Sequence, residues 1–563
     1  VTRAPSGDPS RTPEWQTLAG LARDVPDLSR LLDADPDRFA SFAVDAPRML
    51  LDLSRQRWTP EIRSALLALA RARSIDGLRR DLFRANRFNP SEDRAVLHTA
   101  LRAGDDDPIE LDGVDIGAEV RDARTRVRTL ADDIRSGRWR GAWGAPIRDL
   151  VHIGIGGSFL GPALVCEALG TPDGPRVHFL ANVDGHEAER LLPQLDPGST
   201  LFVIASKSFG TLETRTNAEA ARSWFLERGG RPADLARHFV AVTTNTAAAA
   251  EFGLPEANLL PMWDWVGGRF SLWSPIGLPI AAGFGNDAFD ALLDGARAMD
   301  VHFRDTALED NAPALLALAE LWNQEFLGTR SHAVLPYATP LARLPDFLQQ
   351  LEMESNGKNV RSDGTPLTTG SGTIVWGNVG TNGQHAYHQL LHQGTQPFSA
   401  EFILPLTPDH RRTDQHDWLA AHCFAQAEAL ARGRTREEVV RALEQSGADP
   451  TQAVHRVLPG NHPSSTVLLD DLGAASLGAL IALHEHKVFV QGMIWGVNSF
   501  DQWGVEQGKV LGDRIHAALV EPAAADGAAT PPEPVADATT RALVRLFRAR
   551  RDARAESSQD TDD

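Results

Sequence analysis

Leu150-Val151-His152-Ile153-Gly154-Ile155-Gly156-Gly157-Ser158-Phe159-Leu160-Gly161-Pro162 reads as an apolar run, a glycine-rich turn and the opening of a helix. The succession recurs. Thr200-Leu201-Phe202-Val203-Ile204-Ala205 runs into Ser206-Lys207-Ser208-Phe209-Gly210-Thr211, and Phe239-Val240-Ala241-Val242 follows. A second block repeats it with Ala333-Val334-Leu335-Pro336 and Thr373-Ile374-Val375-Trp376. Strand, loop and helix in two blocks predict an α/β chain, with parallel sheets covered by helices on both faces. Ligands of such sheets bind at the carboxyl ends of the strands, where these loops fall.

Upstream, residues 12–103 read as helices, with apolar residues such as Ile62, Leu66 and Leu69 at three- and four-residue spacing. Downstream, 521–536 is rich in Ala and Pro and reads as an extended connector. A basic amphipathic helix around Leu543, Val544, Leu546 and Phe547 follows, then a polar tail ending Asp560-Thr561-Asp562-Asp563. That helix reads as a docked C-terminal arm with a solvated basic face rather than a nucleic-acid element.

A chain of 563 residues, 42% hydrophobic, has room for more than one core. Its two cysteines, Cys166 and Cys423, exclude a disulfide framework and a multi-cysteine metal cage. The polar N-terminal stretch shows no apolar signal core, and the longest small-apolar stretch, near 472–483, is too short to span a bilayer. A soluble, cytoplasmic protein without a membrane partner is expected. The net charge of −19 argues against bulk binding to nucleic acid. It also repels anionic ligands, so a phosphate site needs its own local positive focus.

Only four of the 56 basic residues are lysines: Lys207, Lys358, Lys487 and Lys509. Lysine differs from arginine in being a compact ammonium that sheds its proton when desolvated. Three of the four fall inside motifs rich in glycine and hydroxyls. Lys487, within Glu485-His486-Lys487, is put down to chance and composition.

Gly154 to Pro162 follows a strand and opens a helix, where main-chain N–H groups meet an anion. Phe159 stands where a dinucleotide fingerprint needs glycine, and the loop ends without the Lys-Ser/Thr of a Walker motif. Ser158 adds a hydroxyl, and a purely structural turn remains an equal reading. Loop 206–211 offers three hydroxyls and an ammonium at a helix entrance. One hydroxyl is expected to cap the helix, and the surplus suits a phosphate monoester.

In Phe347-Leu348-Gln349-Gln350-Leu351-Glu352-Met353-Glu354-Ser355-Asn356-Gly357-Lys358, helical spacing puts Gln350 and Glu354 on one face. Asn356-Gly357 is a stop signal, and Glu354 just before it is a candidate general base, set against the commoner solvated glutamate. His385, His388 and His392 follow Gly380-Thr381-Asn382-Gly383-Gln384 without a carboxylate or cysteine partner, which argues against zinc. His385, at the loop-to-helix junction, reads better as a proton-shuttling histidine. Val266-Gly267-Gly268-Arg269-Phe270-Ser271 sets one arginine between glycines and aromatics, and Phe500-Asp501-Gln502-Trp503-Gly504-Val505-Glu506-Gln507-Gly508-Lys509 ends in a scarce lysine.

Taken together these segments resemble the glucose-6-phosphate isomerase (phosphoglucose isomerase) family. The 266–271 and 500–509 segments look like its two signature patterns. Met353-Glu354-Ser355-Asn356-Gly357-Lys358, Thr381-Asn382-Gly383-Gln384-His385 and Glu92-Asp93-Arg94-Ala95-Val96-Leu97-His98 match as well. The similarity spans nearly the whole chain. It implies two SIS-type doubly wound parallel-sheet domains at 119–290 and 291–515. A helical segment at 1–118 would pack on the second, and a C-terminal arm with a disordered tail would occupy 516–563.

It also implies a homodimer with active sites at the subunit interface, and aldose-ketose isomerisation through a cis-enediol without metal or cofactor. Gly157, Ser158, Ser206, Lys207, Ser208 and Thr211 would hold the phosphate. His385, from the partner subunit in that family, and Lys509 would open the sugar ring. Glu354 would carry the proton between C2 and C1, Arg269 would stabilise the enediolate, and Gln350 and Gln502 would orient the substrate. Three positions depart from the usual residues: Phe159 after the loop serine, Gly210 in place of threonine, and Asn378-Val379 in place of Glu-Pro. A phosphosugar-binding regulator would keep the hydroxyl loop but need not keep Glu354, His385, Arg269 and Lys509 together. A related isomerase with mannose 6-phosphate activity stays open on sequence.

Overall fold

The computed structural model describes residues 5–104, 107–520 and 537–559; the connector expected at 521–536 and the tail at 560–563 lie outside them. Two compact units appear, Val1–Phe500 and Asp501–Asp563. The first contains both large sheets. One is five-stranded and wholly parallel, in the order Arg176–Leu180, Asp149–Ile153, Thr200–Ala205, Phe239–Val242, Leu259–Leu260. The other is six-stranded, in the order Ala43–Ala46, Met49–Asp52, Ser464–Leu469, Phe398–Pro405, Ser331–Pro336, Ile374–Gly377. Its last four strands are parallel, and the first two form an antiparallel hairpin.

That hairpin departs from the helical reading of 12–103. Helices Pro13–Leu21 and Pro60–Ala72 are present, yet Met49–Asp52 adds to the second sheet by pairing with Ser464–Leu469. Four residues, Met49-Leu50-Leu51-Asp52, are too short to show a period, so strand and helix look alike there.

Alternation along the strands explains why both faces are covered. Val151, Ile153, Phe202, Ile204, Phe239 and Ala241 enter one core, while Leu150, Leu201, Val203, Val240 and Val242 enter another. The second sheet divides likewise, with Ala333, Leu335, Ala400 and Phe402 on one side and Val334, Ile403 and Val467 on the other. Strands buried on both faces read as continuous apolar runs, as these do. The inner faces of both sheets share one core. Helix Ala474–Trp495, buried along nearly its whole length, runs through it.

Buried charges tie remote segments to that helix. Arg102 ends the short turn His98–Arg102, with its Nε and Nη2 each 2.7 Å from a carboxylate oxygen of Asp300. Its Nη1 lies 2.5 Å from Glu485 Oε2, and the Trp273 indole donates to the other oxygen of that carboxylate at 2.9 Å. No helix among the described residues is long and apolar enough to cross a membrane.

The second unit is helical, with Glu506–Val520 and Ala538–Gln559. Within it Arg548 Nη1 donates to the Ala518 carbonyl at 3.2 Å.

Arg102→Met takes the guanidinium from Asp300 and Glu485 in a dry core, leaving them to His486 and Trp273, and losing one partner of a buried ion pair typically costs ~3–5 kcal/mol. Urea melts are expected to show that loss; an unchanged midpoint would mean the network carries no stability.

Candidate active site

In the five-stranded sheet the chain leaves Asp149–Ile153 for one neighbour, Arg176–Leu180, then returns to the other side at Thr200–Ala205. Where the winding reverses, the loops after adjacent strands part and leave a crevice at their carboxyl ends. Loop 154–161 and loop 206–211 follow the two strands that flank this reversal.

Loop 154–161 is held from inside by His152, fully buried, whose Nε2 donates to the Ser158 carbonyl at 2.7 Å. Burial pushes that imidazole down to about 4, so it is neutral at neutral pH. Gly156 has φ of +58°, the left-handed region, and a Cβ there would meet Gln350 Nε2 at 3.0 Å. A Cβ on Gly157 would run into the main chain of Gly268 and Arg269. Glycine is needed here for close approach, which brings the loop against both Gln350 and the arginine turn. Phe159 packs edge-on against Phe179, with 5.7 Å between ring centroids.

Loop 206–211 turns through Phe209, whose φ of +55° is unusual for a large side chain. Ser206 is buried, and its Oγ lies 3.3 Å from Thr211 Oγ1. Thr211 is the N-cap residue of helix Leu212–Glu227, yet no side-chain hydrogen bond caps that helix. The expected capping hydroxyl is therefore not spent, because Thr211 Oγ1 faces Ser206. Ser208 holds the turn, with its Oγ accepting from Gly210 N–H at 3.2 Å and its carbonyl from Asn245 Nδ2 at 3.1 Å. A Cβ at Gly210 would meet Ser208 Oγ at a comfortable 3.6 Å, so space does not explain the missing threonine.

Lys207 reaches across to the segment that leads into the arginine turn. Its Nζ donates to the carbonyls of Asp264 and Val266 at 3.3 and 3.4 Å and lies 3.3 Å from Asp264 Oδ1. Burial lowers the ammonium below the usual lysine range, against the opposing pull of Asp264.

Arg269 is almost wholly buried. Its Nη1 stands 3.5 Å from Glu354 Oε2, its Nε donates to Ser355 Oγ at 2.6 Å, and its Nη2 donates to the Ser499 carbonyl at 2.5 Å. Ser499 Oγ in turn donates to Asn356 Oδ1 at 2.7 Å. Phe270 stacks on His98, 4.6 Å between centroids, and fixes the turn from the side.

Glu354 closes a π-helical turn, Gln349–Glu354, rather than the regular helix expected. Such turns are uncommon and recur at functional sites. Gln350 and Glu354 still face the same way, one toward Gly156 and the other toward Arg269. Lys358 Nζ donates to the Glu354 main-chain carbonyl at 2.8 Å, satisfying an acceptor that the stop at Asn356-Gly357 exposes.

Gly157, Ser158, Ser206, Lys207, Ser208, Thr211, Arg269, Gln350 and Glu354 thus fall on segments joined to one another within the first unit. His385 is exposed at the end of helix Gly380–Gln384 and, among the described residues, its side chain makes no hydrogen bond or ion pair. Asn378-Val379 is tied down on both sides: Val379 N–H donates to Asn378 Oδ1 at 2.7 Å, and the Tyr387 hydroxyl donates to the Asn378 carbonyl at 3.4 Å. His388 and His392 both bond Gln426 Oε1, at 3.0 and 2.8 Å. Gln502 and Lys509 belong to the second unit, where Lys509 Nζ lies 2.8 Å from Glu506.

Sequence reasoning missed four supports. His152, Ser355, Ser499 and Asn356 hold the loop and the guanidinium, and no spacing rule marks them. It also misjudged Lys487. Put down to chance and composition, Lys487 is fully buried, with Nζ 2.6 Å from Glu320 Oε1 and 2.7 Å from Glu352 Oε1.

Residues 52–534 match the family model described as phosphoglucose isomerase. The chain is 47% identical to the glucose-6-phosphate isomerases of Stutzerimonas stutzeri (strain A1501) and Pseudomonas aeruginosa (strain LESB58), covering 96% of this chain and 98% of each relative. The solved structure of a glucose-6-phosphate isomerase from Chlamydia trachomatis D/UW-3/Cx superposes with a TM-score of 0.82 at 30% identity, over 96% of this chain and 100% of that one. By sequence and by fold, the chain belongs to the phosphoglucose isomerase family.

Proposed function

We propose that this chain interconverts glucose 6-phosphate and fructose 6-phosphate through a cis-enediol, with Glu354 carrying the proton between C2 and C1. The observation that carries the reading is the Glu354 carboxylate 3.5 Å from the buried guanidinium of Arg269, beside two anion-suited loops. A base and a fixed cation on one side of a cleft are what an enediolate needs. The carboxylate takes the C2 proton, charge develops on the C1 oxygen, the proton of the C2 hydroxyl passes to that oxygen, and the same carboxylate returns its proton to C1, leaving the carbonyl at C2. Arg269, already desolvated and oriented, stabilises that charge without rearranging.

The phosphate end is assigned to Ser206, Lys207, Ser208 and Thr211, with Gly157 and Ser158 of the other loop. The hydroxyl of Thr211, not used in capping, supports this assignment. Gln350, against Gly156, bridges the phosphate loops to the reacting end and orients the sugar; an orienting role for Gln502 rests on the family resemblance of its segment. His385 and Lys509 open the ring by acid and base catalysis.

His385 acts in the site of a second copy, in a homodimer. Its exposure supports that role, as do Leu390 and Trp418, 52% and 70% exposed on helices that Gln426 and His388 bind together. Apolar side chains so placed suit an interface.

Glu354→Gln keeps the shape of the base but removes its basicity. Turnover is expected to fall by ~10²–10⁴ with substrate affinity retained. Near-normal turnover would take Glu354 out of the role. Gly157→Ala forces a Cβ into the Gly268 main chain and displaces Arg269, so kcat/KM is expected to fall about 10²-fold in a protein that still folds. Wild-type kinetics in that variant would show the close approach to be irrelevant. Arg269 supplies the fixed cation in this scheme, so fructose 6-phosphate conversion is expected to survive chelator treatment. Loss of activity restored by a divalent ion would assign the charge stabilisation to a metal instead.

A further inference from the structure

Behind the Gln349–Glu354 turn lies a cluster of buried charge that the proposed reaction does not use. Lys487 projects from helix Ala474–Trp495 to Glu320 on helix Ala312–Glu325 and to Glu352 on the turn itself. His332 Nε2 lies 3.1 Å from Glu320 Oε1, and His484 Nε2 lies 3.2 Å from Glu401 Oε1. All of these side chains are buried. Glu320, His332 and Glu401 bring ligand atoms within 4.8 Å of one another, a spacing a metal ion accepts. The chain, however, supplies its own cation there. Burial opposes the charge on Lys487, but Glu320, Glu352 and Glu401 outweigh it and raise the ammonium's pKa.

Buried ion pairs of this kind seldom add stability over well-packed apolar residues. What this one does provide is orientation. Gln350 and Glu354 face the cleft, whereas Glu352, between them, points the opposite way into the core. Within the cluster, Glu352 is the member that lies on the turn bearing Glu354. A salt link at that point ties the turn to helix Ala474–Trp495, buried along nearly its whole length.

We propose that Glu352 is a positioning residue. Its ion pair with Lys487 fixes the rotation of the Gln349–Glu354 turn, and so holds the Glu354 carboxylate against Arg269. This rests on the role proposed for Glu354. Misplacing a reacting group by about 1 Å costs on the order of 10² in rate, so a turn left free to rotate would lose turnover before it lost binding.

The test compares two near-isosteric variants in the full chain. Glu352→Gln and Glu320→Gln each remove one carboxylate from Lys487, but only the first unties the turn. Glu352→Gln is expected to lower kcat at least about tenfold with KM for fructose 6-phosphate within about twofold, and Glu320→Gln to keep both within about twofold. A wild-type kcat in Glu352→Gln, a change confined to KM, or an equal fall in both variants overturns the proposal. Lys487→Met/Glu352→Gln removes both poles together, leaves Glu320 to His332, and must show the same loss of kcat. Failure of both Glu352 variants to fold would assign the cluster to stability alone and equally overturn it. Glu354→Gln separates the two ideas. If it is inactive while Glu352→Gln is normal, only the positioning role falls; if it is active, the general base falls first.

Discussion

A guanidinium withdrawn from water must find acceptors for its donors, and Arg269 finds them on segments far apart in sequence. Glu354 and Ser355 come from the end of the π-turn, and the Ser499 carbonyl from the end of the first unit. Leaving such a charge unpaired in a dry site would cost several kcal/mol. The two segments are therefore obliged to meet where Arg269 lies, and the cleft is organised by that obligation. Ser499 is in turn fixed by Asn356, so the arginine's acceptors are themselves oriented.

The surrounding fold brings main chain close to that charge. Gly157 touches the Gly268 backbone, and Gly156 faces Gln350. Lys207 anchors the hydroxyl loop to the carbonyls just before the arginine turn. Each contact joins a strand-end loop of the parallel sheet to the Arg269 segment or to the Glu354 turn. An acidic chain, with a net charge of −19, thus brings a guanidinium, an ammonium and a hydroxyl-bearing loop onto joined segments. That local focus is what an anionic substrate requires against a repelling surface.

Much of this was legible in advance because it is locally encoded. Apolar runs ending in small-residue loops specify parallel strands, and in sheets of this kind ligands bind at the strands' carboxyl ends. Thr211 shows the limit. One loop hydroxyl was expected to cap the helix, but Thr211, at the cap position, accepts from Ser206 instead, a choice between two nearby donors that sequence does not resolve. The hairpin at Ala43–Ala46 and Met49–Asp52 was unreadable for another reason: its strands gain their identity from Ser464–Leu469, more than four hundred residues away.

By itself the sequence determined the α/β class, the positions of the loops and the chemical types offered there, since these follow from periodicity, turn residues and side-chain inventory. The tertiary structure alone decided that Glu354 meets Arg269, that its helix is wound as a π-turn, and that Lys487 is a buried anchor. The physical reason is desolvation. A charge's meaning depends on whether water or a partner surrounds it, and only the packed chain fixes that.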